Sequence, residues 1–242
     1  MADELQTLLI ERQNYASTTT NNDDLEKNGF LVVKNLWDPE ELYHPVPRER
    51  GVMTYFHPFK VNSFRHVQED TQVPGSLIRY RYPQYKLIHS KLRKKVQEYV
   101  GRKINNTFYS DRFYFEGQSL QRHLQRDACE IAVTILVSTN LDLDWPILIK
   151  TPDQYTDKSK STILVPGDEQ PIVLQPGDGL IYKGCERPIG RATMPERKKD
   201  IQIGNFWINL REKVDHYYHE ITFYYVIDSG QRAQYSGDMS GG

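Results

Sequence analysis

The stretch with the most chemical content runs from Gln121 to Ser138. It reads Gln-Arg-His-Leu-Gln-Arg-Asp-Ala-Cys-Glu, then Ile-Ala-Val-Thr-Ile-Leu-Val-Ser. It begins polar and ends as a β-branched run of the kind that forms a buried strand. A histidine at the mouth of such a strand, with a carboxylate two residues on, is half of a metal site. Residues two apart in a strand point the same way, about 6.6–6.8 Å apart. His123 is present, but two residues on stands Gln125, a neutral amide. Asp127 is four residues from His123. In a continuous strand it would lie roughly 13 Å away, too far to share one ion at bonds of about 2.1 Å. A turn between them would change that. His216 and His219 are spaced as in a helix, yet Tyr217-Tyr218 and the following Ile-Thr-Phe-Tyr-Tyr-Val read as strand, where the two would face opposite sides. Cys129 and Cys185 each precede a Glu near apolar runs. They are expected to be buried structural thiols, and their matching contexts would allow them to lie close together. Neither shows zinc spacing. There is no Gly-rich phosphate loop and no Gly-x-Ser-x-Gly.

The elements that must position these residues come from a chain of 242 residues, enough for about one domain of the β-sandwich or barrel type. Lys and Arg number 31 against 32 Asp and Glu, so no bulk field favours nucleic acid or an anionic membrane. No apolar run approaches the roughly 18–20 residues of a membrane span. The N-terminus does not read as a secretory signal. Two cysteines allow at most one disulfide, and a reducing compartment is expected. Tyr outnumbers Phe, 16 to 9, a bias that suits half-wet strands and interfaces.

In order along the chain, residues 2–13 place Leu5, Leu8 and Leu9 on one face of a short amphipathic helix, which must dock on something to be stable. Residues 17–24 read as a linker. Asn28-Gly29 ends a helical turn, Phe30–Val33 is a strand, and Asp38-Pro39 starts a helix that His44-Pro45 stops. Residues 48–83 are loop-rich, with strands around Met53–Phe56 and Leu77–Tyr82; Lys60, Arg65, Arg79 and Arg81 make a basic region read as a solvated face. Tyr85–Val100 is the best helix, closed by Gly101. From Asn106 the pattern turns to β: Phe108–Tyr114, a central strand Ile131–Val137, then Trp145–Lys150, a polar loop 151–161, Ile163–Val165, Ile172–Leu174, the Pro-Gly turn before Tyr182, Phe206–Leu210 and Tyr217–Ile227. Helices first and strands after imply a mainly β jelly roll buttressed by N-terminal helices. The division is an N-terminal helix and linker arm (1–24), a jelly-roll domain (25–230) and a polar tail (231–242).

Three stretches together, Leu25–Leu42, His123–Thr134 and Leu174–Arg191, resemble the iron(II)/2-oxoglutarate-dependent oxygenases, whose fold is a double-stranded β-helix. The nearest branch is the phytanoyl/prolyl-hydroxylase-like proteins carried by phages. That chemistry needs two His and one carboxylate on one face of Fe(II), with positions left for 2-oxoglutarate and O₂. The resemblance implies that the family's first His is His123, that its Asp falls on Gln125, and that its distal His falls on Ile189. Two of three ligands are then replaced. A basic residue for the distal carboxylate of 2-oxoglutarate is sought among Arg191, Arg197, Lys198 and Lys199, with Arg191 put forward.

The function expected is therefore non-catalytic: an oxygenase-fold structural or assembly component, of a phage virion (capsid, neck or tail), in the virion or in host cytoplasm before assembly. No cofactor is expected. Other protein chains are the expected partners, reached through the N-terminal arm and the tail, with no membrane and no nucleic acid. The alternative is an active Fe(II)/2-oxoglutarate hydroxylase with a rearranged site using His123 and Asp127 or His219. A third possibility is a jelly-roll module that binds a small ligand or glycan, with Arg126, Arg187 and Arg191 around an anion.

Overall fold

The structure is a computed structural model, and it describes residues 22–43, 67–158, 161–195, 198–203, 206–211 and 216–240. The amphipathic helix 2–13, the strand Met53–Phe56, the His44-Pro45 stop, Lys60, Arg65 and Arg197 lie outside the described residues.

The N-terminal elements form as their caps dictate. Helix α1 (Asn22–Asn28) ends at Gly29, with φ 77° and its N–H on Leu25 O at 3.0 Å. Strand β1 (Phe30–Val33) follows. Helix α2 (Pro39–Leu42) is capped by Asp38, which accepts from the Glu40 N–H at 2.9 Å. Helix α3 (Tyr85–Val100) buries Tyr85, Ile88, His89, Leu92, Val96 and Val100 along one stripe and closes at left-handed Gly101.

The fifteen described strands then make two facing sheets and two hairpins. The larger sheet takes β1, β2 (Val67–Glu69), β3 (Leu77–Tyr80), β4 (Ile104–Phe115), β6 (Ile131–Thr139), β11 (Gly179–Lys183) and β15 (Tyr217–Ile227), in the order β1-β11-β6-β15-β4-β3-β2. The smaller sheet takes β5 (Leu120–His123), β7 (Ile147–Lys150), β10 (Glu169–Ile172) and β12 (Ile189–Arg191), in the order β10-β7-β12-β5. The hairpins are β8 (Gln154–Lys158) with β9 (Ser161–Val165), and β13 (Lys198–Ile203) with β14 (Phe206–Arg211). Every described pairing is antiparallel.

The molecule is therefore layered as helices, large sheet, small sheet. One core, with Leu25, Leu42, Leu92, Val133, Ile135, Ile181 and Phe223, lies between the helices and the large sheet. The other, with Leu120, Ala132, Leu136, Trp145, Ile149, Tyr182 and Ile189, lies between the two sheets. This explains the run Ile131–Val137. It is buried at every position because both of its faces are covered, so it does not alternate.

The jelly roll buttressed by helices is thus present. Details differ from the sequence expectations: the stretch 17–24 read as a linker contains the start of helix α1 at Asn22, and the strand expected at Ile172–Leu174 is instead Glu169–Ile172. The polar loop 151–161 contains strand β8, whose pairing with β9 overrides its polarity. The expected strand Trp145–Lys150 starts at Ile147, and Trp145 is instead pinned by its Nε1–H on Ala192 O at 3.0 Å. Lys198 and Lys199 belong to strand β13 and not to a loop. The tail folds back on its own chain: Gly237 N–H reaches Asn106 O at 2.9 Å, Arg232 pairs with Asp127, and Arg126 pairs with Asp238, each at 2.9 Å.

Candidate functional site

His123 is the last residue of β5, and a β-bulge aims it. Ile189 of β12 pairs with His123, while Arg191, two residues on, pairs with Leu120, three residues back. The extra residue in β5 turns both Leu120 and His123 inward, where strict alternation would put them on opposite faces. Both line a small cavity of about 30 Å³ between the sheets, along with Gln125, Tyr182, Ile189, Arg191, Arg112, Glu220 and Tyr224. Ile189 also pairs with Ile149 of β7, so its side chain is fixed at the floor of the smaller sheet.

The hydrogen bonds at His123 are self-contained. Its Nδ1 lies 2.9 Å from Gln121 O, so that nitrogen carries the proton and donates. Its Nε2 then accepts from the Gln125 amide nitrogen at 3.2 Å. The same Gln125 amide donates to the Tyr182 hydroxyl at 3.2 Å, and the Gln125 backbone N–H is anchored on Gly184 O at 2.9 Å. The tautomer follows from this network.

Arg191 is 3% exposed and spans the sheets. Its Nη2 donates to Glu220 Oε2 at 2.5 Å and its Nη1 to Trp145 O at 2.8 Å. The guanidinium lies over Tyr218 and Trp145, at 4.4 and 4.6 Å from their ring centres. Burial opposes its charge most strongly, but Glu220 together with Tyr218 and Tyr114 outweighs that and holds the pKa above the ordinary arginine value. Glu220 also accepts from the Tyr114 hydroxyl at 3.1 Å. Arg112 donates to that same hydroxyl at 3.1 Å and to Gln72 Oε1 at 2.8 Å, and it forms an ion pair with Asp70. A continuous polar chain, Asp70–Arg112–Tyr114–Glu220–Arg191, thus runs along the cavity wall. Burial pushes the Tyr114 and Tyr182 phenols well up, so both stay neutral donors.

The other sequence candidates are not brought here. Asp127 sits in a 3-10 turn, Asp127–Cys129, where Arg232 Nε holds its carboxylate. Strand β5 ends at His123, so the continuous-strand spacing does not apply to Asp127, but its carboxylate engages the tail. His219 is next to Glu220 on β15 and so faces the helices. Its Nε2 lies 2.8 Å from Asp111 Oδ2 and its ring stacks on Phe113 at 3.9 Å. Asp111 is fully buried; burial would raise its carboxyl, yet Arg79 and His219 hold it below the ordinary range. Arg79, expected on a solvated face, is 3% exposed and committed to that carboxylate. Cys129 and Cys185 are free thiols on neighbouring turns, joined by Gly184 N–H on Glu130 O at 2.9 Å. Burial pushes them up to about 12 and about 11, so neither is a ready nucleophile. Sequence reasoning missed Arg112, Tyr114 and Glu220. The available signal was period-2 spacing, Arg112/Tyr114 on β4 and Glu220/Thr222/Tyr224 on β15, each series facing the cavity.

No protein-family model matches the sequence, and no curated protein does either. Solved structures do match in shape. A 2OG-Fe(II) oxygenase family oxidoreductase from Burkholderia pseudomallei superposes with a TM-score of 0.52 at 8% identity, covering 92% of this chain and 94% of that one. SnoK, a non-heme alpha ketoglutarate dependent carbocyclase from nogalamycin biosynthesis, superposes with a TM-score of 0.51 at 6% identity, covering 93% and 94%. The chain has the double-stranded β-helix fold of the 2-oxoglutarate/Fe(II) oxygenases. At such identities the likeness speaks for fold and not for activity.

The oxygenase fold raises the question of whether iron and 2-oxoglutarate fit this cavity. The donor set does not suit iron. Beside His123 stand an amide, whose nitrogen already faces the histidine lone pair, and an isoleucine, which has no donor. Among the described residues no three His, Cys, Asp or Glu side chains are grouped to hold a metal ion. A five-carbon diacid does not fit either: a cavity of about 30 Å³ has room for a few waters at most. The guanidiniums of Arg191 and Arg112 already carry the carboxylates of Glu220 and Asp70.

Proposed function

We propose that this is a non-catalytic member of the oxygenase fold, in which the metal cradle has been replaced by an internal hydrogen-bond and ion-pair lattice. The observation that carries the reading is the register of β5 and β12, which sets Ile189 directly against His123. The sequence resemblance assigns the distal histidine to that position. With Gln125 capping His123 and Glu220 occupying Arg191, the cradle is held together by protein groups alone. The work of the chain then falls to its surfaces, as a structural or assembly component. The sequence resemblance to phage-borne oxygenase-like proteins favours a virion as that assembly, with other protein chains as partners. The test is anaerobic purification with Fe(II) present, followed by metal analysis and a 2-oxoglutarate decarboxylation assay, with His123→Ala as control. One iron per chain with His123-dependent decarboxylation would establish an active hydroxylase instead.

A further inference from the structure

The chain is nearly neutral, yet its helical layer separates the signs. Residues 85–103 hold seven basic residues and one acid, Glu98. Residues 22–42 hold six acids and two lysines. Both stretches cover the same face of the larger sheet: Leu25 of α1, Leu42 at the end of α2 and Leu92 of α3 share one core. They meet at Trp37. Lys95 Nζ lies 4.7 Å from its ring centre and donates to Leu36 O at 3.1 Å, while Trp37 Nε1–H donates to Glu41 at 3.1 Å. One side of that junction is positive and the other negative, whereas a surface that serves only solubility intersperses the two signs.

Much of this charge is unspent. Lys86, Lys91 and Lys94 are exposed on the outer face of α3, and Glu40 is exposed on α2; among the described residues no ion pair reaches any of the four. The lysines do not suit an isolated helix. Lys91 repels Lys94 at i, i+3 and Lys95 at i, i+4, and Lys86 stands in the first turn, where the helix dipole disfavours a cation. Leu87, 63% exposed, lies seven residues before Lys94 and so on the same line of the helix, in the middle of that face. An acidic surface laid on α3 would relieve the repulsion and cover Leu87. The chain itself carries such a surface: Asp38, Glu40 and Glu41, three of four consecutive residues, are exposed at α2. A two-fold axis near Trp37 would lay α3 of each copy on α2 of the other, so that one contact is made twice.

We propose that this helical face pairs two copies of the chain, with Lys86, Lys91 and Lys94 of each meeting Asp38, Glu40 and Glu41 of the other. This deepens the assembly reading above and rests on it; mass and iron content are measured separately, so either can fail alone. Exposed ion pairs are individually weak and screened by salt, so the pairing is salt-sensitive. The test is sedimentation velocity of the full chain over a range of concentrations, at about 20 mM and about 500 mM NaCl. The expected result is a species of twice 28.4 kDa at low salt, with a dissociation constant about ten-fold or more higher at high salt. Lys91→Glu/Lys94→Glu is expected to be monomeric, and so is Glu40→Lys/Glu41→Gln, in which the glutamine keeps an acceptor for Trp37. Each variant sets like charges against like. An equal mixture of the two is expected to recover the dimer, since both contacts then pair opposite signs. A wild type that stays monomeric at low salt overturns the proposal, even if it binds polyglutamate or DNA. So does a dimer indifferent to salt, a charge variant that dimerises like the wild type, or a mixture that stays monomeric. Melting curves check that both variants fold; if one does not, the salt dependence of the wild type and the mass of the other variant decide.

Discussion

The pair Arg191–Glu220 crosses from the small sheet to the large one with side chains 1% and 8% exposed, and its worth can be isolated. Removing one partner of a buried ion pair strands a charge and costs about 3–5 kcal/mol. For Glu220→Met the stranded guanidinium keeps the neutral acceptors Trp145 O and the Tyr218 hydroxyl but no carboxylate of its ion pair, and Tyr114 loses its acceptor as well. At about 2–4 °C per kcal/mol for a chain of this size, the midpoint of melting falls by about 6–20 °C. The double variant Arg191→Met/Glu220→Met strands no charge. Apolar replacement of both members of a buried pair is often near neutral, so the double is expected to be more stable than either single. Urea titrations of the four proteins close the cycle, with a coupling energy of about 2 kcal/mol or more. If the double loses the sum of the two singles, to within about 0.5 kcal/mol, the pair is not coupled and the lattice described here does not hold the sheets together.

Three further outcomes follow from the same geometry. Gln125→Asp with Ile189→His should create a metal site with His123, read as about one Co(II) per chain by absorption and metal analysis; no binding would show that these positions do not form the cradle. His89 is buried against Tyr224 O, and burial lowers it from 6.5 to about 4, so it is neutral in the fold. Its contribution to stability is present in full above about pH 6.5 and is lost as pH falls through about 4, up to about 3 kcal/mol. Denaturant titrations at pH 7 and pH 4.5 should therefore differ less in His89→Gln than in the wild type. Truncation after Gly230 removes the tail ion pairs to Asp127 and Arg126, which are partly exposed; a loss of about 1–2 kcal/mol is expected by urea titration, and no loss would mean the tail contributes nothing to its own chain.

The parts of the fold that announce themselves locally were legible. Asp38-Pro39, the stripe from Tyr85 to Val100 and the Gly101 stop are each written within a few residues, and so is the buried run Ile131–Val137. His123 and Gln125 were legible as neighbours because two residues in an extended segment share a face. What was hidden depends on pairing. The bulge in β5 is set by its partner β12, and without it His123 would not share a face with Leu120. Glu220 and Arg112 meet through Tyr114 only because β15 lies beside β4, about 100 positions away in sequence. Arg79 read as a surface charge because Asp111, its partner across β3 and β4, is remote in sequence.

The place of β15 in the larger sheet has a kinetic consequence. The last strand of the chain to join the sheet lies at its middle, between β6 and β4. Strands β4 and β6 do not pair with each other; each waits for Tyr217–Ile227. A ribosome must therefore deliver the chain through Tyr217–Ile227 before the sheet can close, and until then two long strands offer open edges. Folding is expected to be slow for the chain's size, because the decisive contacts span 80 to 120 residues, and any product ending before Tyr217 is expected to aggregate rather than fold in part.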